Sequence, residues 1–401
     1  MRLVIIGAGF AGMYAALSAA RLRDIRGVSP EELEIALVAP EPILVVRPRL
    51  YEPKPETLTA PLLDVLKVID VVYVQGRAEA IDTRSNAVEV VDASGARKKL
   101  SYDRLVLAAG SRLFRPDIPG LAEHSFSVDN LDDAIALDRH LNSLADQPAA
   151  PARDTVVVAG GGFTGIEAAT EMPARLRAVL GENARPRVVI VERNASIAPD
   201  MGAGPRPIIE DALRKLGVET RLGVGVAALD KAGVTLTSGE RIEAATVVWA
   251  AGMRAAPLTT QIPAERDNHG RLIVDRDLRV PSVPEVFATG DAAKATSDDV
   301  GNYALMSCQH ATRMGAFAGN NAAAELLGVP TKRYHQKAYV TCLDLGEAGA
   351  LFTRGWERKV EMVGAEAKKA KQEINTVWIY PPKPERAAAL ASADPERVTD
   401  L

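Results

Sequence analysis

The stretch that decides the fold is Leu3-Val4-Ile5-Ile6, followed by Gly7-Ala8-Gly9-Phe10-Ala11-Gly12 and an apolar, Ala-rich run from Met13 to Leu22. Four β-prone residues predict a buried strand, and the G-x-G-x-x-G pattern predicts a tight turn that opens a helix. Gly7 allows the turn, Gly9 lets the backbone approach a pyrophosphate, and Gly12 lets helix and strand pack closely. Phosphates would then bind free N–H groups at the helix N-terminus, where the helix dipole favours anions.

The same pattern occurs a second time. Thr155-Val156-Val157-Val158-Ala159 leads into Gly160-Gly161-Gly162-Phe163-Thr164-Gly165, and the run from Ile166 to Leu180 is helical in pattern. Two dinucleotide sites in one chain indicate electron transfer between a nicotinamide and a flavin. The residues predicted to hold the two nucleotides are Gly7, Gly9, Phe10, Ala11 and Gly12 in the first turn, and Gly160, Gly162, Phe163, Thr164 and Gly165 in the second.

Composition and charge exclude several classes of protein. The chain has 401 residues, of which 47% are hydrophobic, and a net charge of −4. It can therefore form two or three domains with normal cores, and it lacks the basic character typical of nucleic-acid binding. No apolar run approaches the roughly 20 residues that span a bilayer, and Met1-Arg2 leads directly into a strand, which argues against a signal peptide. The two cysteines do not make a disulfide framework, so we expect a cytoplasmic protein.

The two units differ at the end of their second strand, where a nucleotide site usually carries an acid for the adenosine ribose. In the second unit Glu192 follows the strand Arg187 to Val191. A carboxylate there accepts from the ribose 2′-OH and repels a 2′-phosphate, which favours NADH, while Arg193 leaves NADPH open. In the first unit the strand ends in Ala39-Pro40, with Glu41 just beyond. Either Glu41 binds the ribose or that hydrogen bond is missing.

Three further strand ends permit a close approach of backbone to cofactor, because small residues follow the strand. They are Ala109-Gly110, Ala251-Gly252 and Gly290-Asp291. The first two repeat each other and support an internal duplication. The carboxylate of Asp291 is predicted to accept from a hydroxyl of a flavin's ribityl chain.

A basic segment, Arg47-Pro48-Arg49, stands near the predicted pyrophosphate of the first unit. Guanidinium groups suit phosphate and could neutralise it. The alternative is a solvated basic loop, and the sequence leaves both readings open.

Together these elements predict an α/β fold with two Rossmann-like three-layer nucleotide-binding domains, the second inserted in the first, plus a small C-terminal segment. We expect the FAD-binding domain at residues 1–117 and 271–334, the NAD(P)H-binding domain at 118–270, and the C-terminal segment at 335–401. The last residues, about 20 in number, are polar and Ala-rich, and we expect disorder there.

The chain resembles the two-dinucleotide-binding-domain flavoproteins (pyridine nucleotide-disulfide oxidoreductase-like), and within them most closely the type II NADH:quinone oxidoreductases, or alternative NADH dehydrogenases. The resemblance implies FAD in the first and third segments and NADH in the middle one. It also implies hydride transfer from nicotinamide C4 to flavin N5, and then electron transfer to a quinone. The segments that carry it are the two glycine turns, Pro48-Arg49-Leu50-Tyr51-Glu52, Leu107-Ala108-Ala109-Gly110-Ser111, Ile166-Glu167, Trp249-Ala250-Ala251-Gly252 and Phe287-Ala288-Thr289-Gly290-Asp291.

The resemblance also assigns roles near the reacting atoms. The family acid that matches Glu167 lies near the nicotinamide, although an acid in the first turn of a helix can simply stabilise the helix dipole. The family pattern Ala-Gln-x-Ala-x-Gln lies at the quinone side of the flavin, and here it reads Cys308-Gln309-His310-Ala311-Thr312-Arg313. We expect Gln309 to face the acceptor. His310 either donates a proton to the reduced acceptor or is structural, and Arg313 either holds an anionic or carbonyl acceptor or lies on the helix surface.

The two cysteines and the C-terminus distinguish the chain from other members of the resembling families. Cys308 and Cys342 could form a redox pair as in sulfide:quinone reductases, but those relatives also need a cysteine in the middle domain, and residues 111–300 contain none. A structural thiol is therefore favoured. Membrane-bound relatives end in amphipathic helices, whereas Trp356 to Lys371 is dominated by charge and predicts a solvated helix. We expect at most peripheral contact with the inner face of the membrane, and a homodimer contact through Trp378 and Tyr380 stays open.

The sequence thus predicts an FAD-dependent enzyme that oxidises NADH, or NADPH, and reduces a quinone-like small molecule. One alternative is a reductase of a small iron–sulfur protein, like the ferredoxin or rubredoxin reductases, whose acidic partner would need a basic patch such as Arg47, Arg49 and Arg313. The other is a non-catalytic NADH-binding sensor, which Ala39 suits because a missing ribose acid permits weak FAD occupancy.

Overall fold

In the computed structural model, which describes residues 1–336 and 338–397, the chain begins with the expected strand, glycine turn and helix. Residues Leu3 to Ile6 of the first strand are buried. The elements that follow up to the first domain crossover are β1 (Arg2–Ile6), α1 (Phe10–Ile25), β2 (Glu34–Ala39), β3 (Ile43–Val45), β4 (Thr59–Pro61), α2 (Leu63–Val68), β5 (Val72–Gln75), β6 (Arg77–Asp82), β7 (Ala87–Val91), β8 (Arg97–Ser101) and β9 (Arg104–Leu107).

The second unit repeats the strand, glycine turn and helix. Its first strand, Thr155–Ala159, is buried at every position. The elements of this part are β10 (Ser111–Leu113), α3 (Leu121–His124), α4 (Leu131–Ser143), β11 (Thr155–Ala159), α5 (Phe163–Leu180), β12 (Arg187–Glu192), α6 (Arg206–Lys215), β13 (Val218–Leu222), β14 (Val226–Asp230), β15 (Gly233–Leu236), β16 (Arg241–Glu243), β17 (Thr246–Trp249) and β18 (Met253–Ala255).

The chain then returns to the first unit and ends in a small separate sheet with helices. The returning part includes a long helix, α7. The remaining elements are β19 (Leu272–Ile273), β20 (Val286–Ala288), β21 (Ala293–Lys294), α7 (Cys308–Leu326), β22 (Val340–Asp344), β23 (Ala350–Arg354), β24 (Lys359–Val363), α8 (Gly364–Glu373), a π-helical turn (Ile374–Trp378) and α9 (Arg386–Ser392).

Two parallel sheets form the centres of the two nucleotide-binding domains. The first has five strands in the order β20-β9-β1-β2-β5, and the second has four in the order β13-β12-β11-β17. Strands β9 and β20 are paired neighbours although the whole second sheet lies between them in sequence. The second domain is therefore inserted in the first, and the predicted α/β fold class is confirmed.

Helix α7 packs directly on α1 through two glycines. A Cβ atom on Gly315 would lie 2.2 Å from the carbonyl oxygen of Ala11, and one on Gly319 would lie 2.0 Å from that of Ala15, so only glycine fits at these crossings. Ser307 caps α7, because its hydroxyl accepts from the backbone N–H of His310. The contact brings the N-terminus of α7 close to the first glycine turn.

The C-terminal sheet and α8 correct one prediction. The segment from Trp356 to Lys371, predicted to be a solvated helix, instead contains strand β24 and most of α8. In α8, Ala367 and Lys371 are 0% and 5% exposed, although the neighbouring Lys369 is exposed. Ala367 packs with Cys342 and Phe352 of the antiparallel sheet β22-β23-β24. The apolar stripe that drives this packing consists of alanines, which a count of charges overlooks.

The expectation of disorder in the last part of the chain is also corrected. Within the described residues, α9 packs on α1 through the buried residues Ala389, Leu390 and Ala393. Arg386 forms ion pairs with Asp24 and Asp70, which fixes the helix by charge as well as by packing. The last four residues, numbers 398–401, lie outside the described part of the chain.

Candidate functional site

The first glycine turn has two crowded glycines and one open glycine. Gly7 has a φ of +109°, and a Cβ atom there would lie 2.3 Å from the carbonyl oxygen of Ala108. A Cβ atom on Gly12 would lie 1.8 Å from the carbonyl oxygen of Gly7, whereas one on Gly9 would meet no atom within 4 Å. Helix α1 then begins at Phe10 with no side-chain cap from the described residues and no acid in its first turn. Such an N-terminus favours an anion.

The second turn repeats this geometry almost atom for atom. A Cβ atom on Gly165 would lie 1.9 Å from the carbonyl oxygen of Gly160, and one on Gly162 would meet nothing within 4 Å. Helix α5 also begins, at Phe163 and Thr164, with no cap from a described side chain. The two glycine turns therefore have the same backbone geometry, and each follows the first strand of its domain. We call each turn, with the uncapped helix N-terminus that follows it, a cradle.

The strand ends after the cradles form the link between the domains. Gly110 and Gly252 both have left-handed backbone, with φ of +69° and +82°. The strands that follow, β10 and β18, pair with each other, with Ser111 opposite Ala255. The predicted Ala109-Gly110 and Ala251-Gly252 turns thus lie at the crossover, each beside the glycine turn of its own domain.

The two acids predicted to bind a ribose, Glu192 and Glu41, differ in burial. Glu192 at the end of β12 is 7% exposed, and its carboxylate accepts from the backbone N–H of Gly161 at 2.7 Å and of Asn194 at 2.7 Å. It therefore lies directly beneath the second turn. In the first domain Ala39 ends β2, and Glu41 is exposed.

Asp291 and the two predicted arginines form ion pairs within the protein. The hydroxyl of Ser111 donates to Asp291 at 2.5 Å, and Arg47 Nη1 lies 3.8 Å from the same carboxylate. The shortest contact of Arg47 is with Asp129, at 2.6 Å. Pro48 lies beside it in a 3-10 turn.

Arg49 and Arg313 are also engaged. Arg49 pairs with Glu52 at 2.7 Å and donates to the hydroxyl of Tyr380 at 3.1 Å. Arg313 donates to the carbonyl oxygens of His335 and Arg397, at 3.1 and 2.7 Å. The three arginines thus hold segments of the chain together.

Glu167 forms a buried ion pair that the sequence analysis missed. Its Oε1 atom accepts from Lys371 Nζ at 2.7 Å and from the backbone N–H of Asp344 at 3.0 Å. The side chains of Glu167 and Lys371 are 4% and 6% exposed. Lys371 also donates to the carbonyl oxygen of Cys342 at 2.9 Å. A stripe at helical spacing, Ala367, Ala370 and Ile374, was the one sequence signal that this face of α8 is buried.

Both side chains of the Glu167–Lys371 pair have shifted pKa values. Burial raises the pKa of Glu167 to about 7, although the charge of Lys371 opposes that shift. Burial also opposes the charge of Lys371, but the Glu167 carboxylate offsets burial and raises the pKa of Lys371. A carboxyl group with a pKa near 7 can bind and release a proton at physiological pH, which is the property of a general acid.

Gln309 and His310 begin α7 and differ in exposure. Gln309 is half-buried, and its amide oxygen accepts from the backbone N–H of Val340 at 3.3 Å. His310 is 0% exposed, and its Nδ1 lies 2.9 Å from the hydroxyl of Ser307. Burial and then the charge of Arg358 lower the pKa of His310 to about 3. The imidazole is therefore neutral, and its burial favours the structural reading.

The two cysteines are free thiols. Burial raises the pKa of Cys308, and it raises the pKa of Cys342 to about 12, so both stay protonated. The thiol of Cys342 lies 3.6 Å from the carbonyl oxygen of Ala367. This contact suits a structural role.

Residues 1–336 and 338–397 hold neither a cluster of metal ligands nor a membrane-spanning helix. No group of three or more His, Cys, Asp and Glu side chains in this range is arranged to hold a metal ion. No helix in this range is long and apolar enough to cross a membrane. The cytoplasmic setting, the peripheral membrane contact and the homodimer stay predictions.

Comparison with known proteins decides the family. The family described as pyridine nucleotide-disulphide oxidoreductase matches residues 1–315. The chain belongs to this family. The resemblance drawn from the glycine turns is thereby confirmed, and so is the prediction of an oxidoreductase of this kind.

Individual relatives match most of the chain. An NADH dehydrogenase-like protein of Mycobacterium tuberculosis (strain CDC 1551 / Oshkosh) is 49% identical over 397 residues, which is 98% of each chain. A demethylphylloquinone reductase of Synechocystis is 29% identical over 88% of this chain and 86% of its own. A solved structure of NDH2 from Plasmodium falciparum in complex with NADH covers 98% of this chain and 97% of its own, with a TM-score of 0.79 at 14% identity. That last similarity supports the fold.

Proposed function

We propose that this family member is an FAD-dependent oxidoreductase that takes hydride from NADH and passes electrons to a quinone-like acceptor. The observation that carries the proposal is the buried Glu167–Lys371 pair, which places an acid with a pKa of about 7 on the first turns of the second nucleotide helix. The names of two relatives point the same way, because one is NADH dehydrogenase-like and the other a demethylphylloquinone reductase.

The residues of the first domain fit FAD. The open Gly9 and the uncapped α1 form a cradle for its pyrophosphate, and Asp291, already accepting from Ser111, can accept from the ribityl chain. The buried hydroxyl of Thr289 has no hydrogen-bond partner in the described part of the chain, so it is a further candidate contact. When bound, FAD supplies a two-electron carrier that links a hydride donor to the acceptor.

The second domain fits a nicotinamide nucleotide that exchanges. Gly162 and the uncapped α5 would hold the pyrophosphate. Glu192, held by Gly161 and Asn194, would accept from the ribose 2′-OH and repel a 2′-phosphate. NADH is therefore favoured over NADPH, although the neighbouring Arg193 leaves some room for NADPH.

The chain's own groups would orient the acceptor and handle protons. Gln309 at the start of α7 presents an amide to the acceptor, and the Glu167–Lys371 pair supplies a proton to the reduced acceptor. The overall reaction, NADH + H⁺ + quinone → NAD⁺ + quinol, consumes one proton from solvent. The pair therefore needs to be recharged once in each cycle.

The alternative of a protein acceptor loses its main argument. Arg47, Arg49 and Arg313 were the basic patch for an acidic iron–sulfur partner, and each is bound to a carboxylate or to backbone carbonyls. Such arginines offer less charge to a partner than free ones. The sensor alternative is separated from the enzyme by turnover alone.

The deciding test is an anaerobic visible spectrum of the purified protein, titrated with NADH and then with a short-chain quinone. The proposal expects a yellow protein that bleaches with NADH and regains its colour with quinone. Bleaching without recovery would exclude the quinone and favour a protein acceptor, to be tested with ferredoxin. A colourless protein that cannot be loaded with FAD would overturn the catalytic proposal and favour the sensor.

A further inference from the structure

Arg47 has two guanidinium nitrogens that are held closely and one that is not. Its Nε atom donates to the backbone carbonyl oxygen of Asp129 at 2.9 Å, and its Nη2 atom lies 2.6 Å from the carboxylate of the same residue. The contacts of Nη1 within the described part of the chain are longer, at 3.4 Å to the hydroxyl of Ser111 and 3.8 Å to the carboxylate of Asp291. Nη1 therefore keeps the capacity to donate to a further acceptor.

Asp129 is itself held in place, and it determines the direction of Nη1. Its second carboxylate oxygen accepts from the backbone N–H of Leu113 at 2.9 Å, and its side chain is 9% exposed. The residue that follows, Asn130, caps α4 by accepting from the backbone N–H of Asp133. A guanidinium group is planar and rigid, so a residue that holds Nε and Nη2 determines where Nη1 points.

Nη1 lies beside the predicted flavin contact at the crossover between the domains. The hydroxyl of Ser111 donates to the Asp291 carboxylate at 2.5 Å, and this carboxylate is the group proposed above to accept from the ribityl chain. Ser111 directly follows Gly110, whose backbone is left-handed, and begins β10 at the crossover. The sequence suggests the pyrophosphate as the partner of Arg47. These contacts instead favour the ribityl chain, which is bonded to the isoalloxazine ring.

We propose that Arg47 is a charged contact of the isoalloxazine end of FAD, and that the Arg47–Asp129 pair sets the reduction potential of the bound flavin. The inference rests on the proposed function, because it requires FAD in the first domain. A hydride brings two electrons and one proton, so the reduced flavin carries one negative charge more than the oxidised flavin. The guanidinium charge favours the reduced form, and the carboxylate of Asp129, the positioning residue, partly offsets that charge.

The test compares Arg47→Met with Asp129→Asn, because the two variants should shift the potential in opposite directions. Arg47→Met removes the positive charge and should lower the potential. Asp129→Asn keeps a carbonyl oxygen for Arg47 but removes the negative charge, and it should raise the potential. At an effective dielectric constant of about 20, a unit charge roughly 10 Å away changes the equilibrium constant of reduction about tenfold, which is about 30 mV for a two-electron couple. The measurement is an anaerobic spectroscopic titration of the bound FAD against a reference dye.

Three further variants control for charge and for the geometry of the guanidinium group. Arg49→Met removes a charge two positions away that pairs with Glu52, and Asp132→Asn removes an exposed acid from the first turn of α4. Both should keep the wild-type potential. Arg47→Lys keeps the charge but loses the rigid fork, so its potential should lie between those of Arg47→Met and the wild type. It also carries the test if Arg47→Met binds no FAD.

A second readout is the affinity for FAD, measured by fluorescence titration of the apoprotein. If the pair only braces the two domains, both Arg47→Met and Asp129→Asn should weaken FAD binding and should leave the potential unchanged or shift it in the same direction. Either result for the potential would overturn the inference. Bleaching of the wild type by NADH would at the same time leave the proposed function intact. A wild type that cannot be loaded with FAD would instead overturn the proposed function.

Discussion

The two glycine turns have nearly the same backbone but different side chains around it. In both, the last glycine packs on the first, at 1.8 Å for a Cβ atom on Gly12 and 1.9 Å for one on Gly165, and the middle glycine is open. Two residues after the last glycine stands Tyr14 in the first domain and Glu167 in the second. The strand that follows the helix ends in Ala39 in the first domain and in Glu192 in the second.

The difference in side chains indicates that the two sites have different roles. The backbone cradle is the part that phosphate requires, and it is present twice. Glu167 and Glu192 have no acidic counterpart at the matching positions of the first copy, and the proposed function requires the second copy to recognise a ribose and to exchange a proton in each cycle. The first copy suits a nucleotide that stays bound, since contacts elsewhere, such as Asp291, can replace a ribose acid.

The largest expected effects come from adding a methyl group to the crowded last glycine of each turn. Gly12→Ala and Gly165→Ala each force a Cβ atom onto a carbonyl oxygen, so each should lower the free energy of unfolding by about 3 kcal/mol in urea denaturation. Gly12→Ala should lose FAD, whereas Gly165→Ala should keep FAD and lose NADH binding. The control is Gly9→Ala, which meets no atom; its stability should change by less than about 0.5 kcal/mol while FAD binding weakens. Full FAD binding by Gly12→Ala would contradict this division.

The next effect tests the acid that only the second copy has. The pKa of Glu167 is about 7 in the folded protein against an ordinary value of 4.5. The folded protein therefore holds a proton that the unfolded chain has released, and the stability that this gives is lost as pH rises from about 4.5 to 7. We expect the free energy of unfolding of the wild type, relative to Glu167→Gln, to fall by about 3 kcal/mol across that window.

Tyr14→Phe, the matching change in the first copy, keeps Glu167 and should follow the wild-type pH dependence, so the stability difference between these two proteins should stay constant across the window because tyrosine does not titrate there. The measurement is urea denaturation at several pH values for the three proteins. A wild type and a Glu167→Gln variant with parallel stability curves would mean that the Glu167 carboxyl keeps an ordinary pKa.

The smallest effects concern the ribose acids. Glu192→Gln should raise the KM for NADH about tenfold, because a charge-assisted hydrogen bond is replaced by a neutral one, and it should raise kcat/KM for NADPH relative to NADH. Glu41→Gln should change FAD affinity less than about twofold, since Glu41 is exposed. Fluorescence titration of the apoprotein with FAD checks the second result. A tenfold loss of FAD affinity in Glu41→Gln would identify Glu41 as the first ribose acid.

The fold was predictable because its signals are local. A strand, a glycine turn and a helix occupy some 20 consecutive residues, and their repetition fixed both sheets and the insertion of one domain in the other. The geometry of Gly7, Gly12, Gly160 and Gly165 follows from the same short pattern. The start of α7 is also set locally, because Ser307 caps the helix through the backbone N–H of His310.

The site was less predictable because its partners are distant in sequence. Glu167 and Lys371 are separated by 204 positions, and no local pattern indicates which acid a lysine meets. The same holds for Arg47 and Arg313, because Asp129 and the backbone carbonyl of Arg397 meet them only in the fold.

The position of β20 at the edge of the first sheet has a consequence for synthesis of the chain. Strand β20 pairs with β9, yet every residue of the inserted domain is translated between them. The complete second domain therefore emerges from the ribosome before β20 can complete the sheet of the first domain. During that interval one edge of β9, whose residues Leu105 to Leu107 are buried in the folded protein, has no strand to pair with. The cell thus handles an incomplete first domain in each round of translation, and a chaperone that covers a parallel strand edge would protect it.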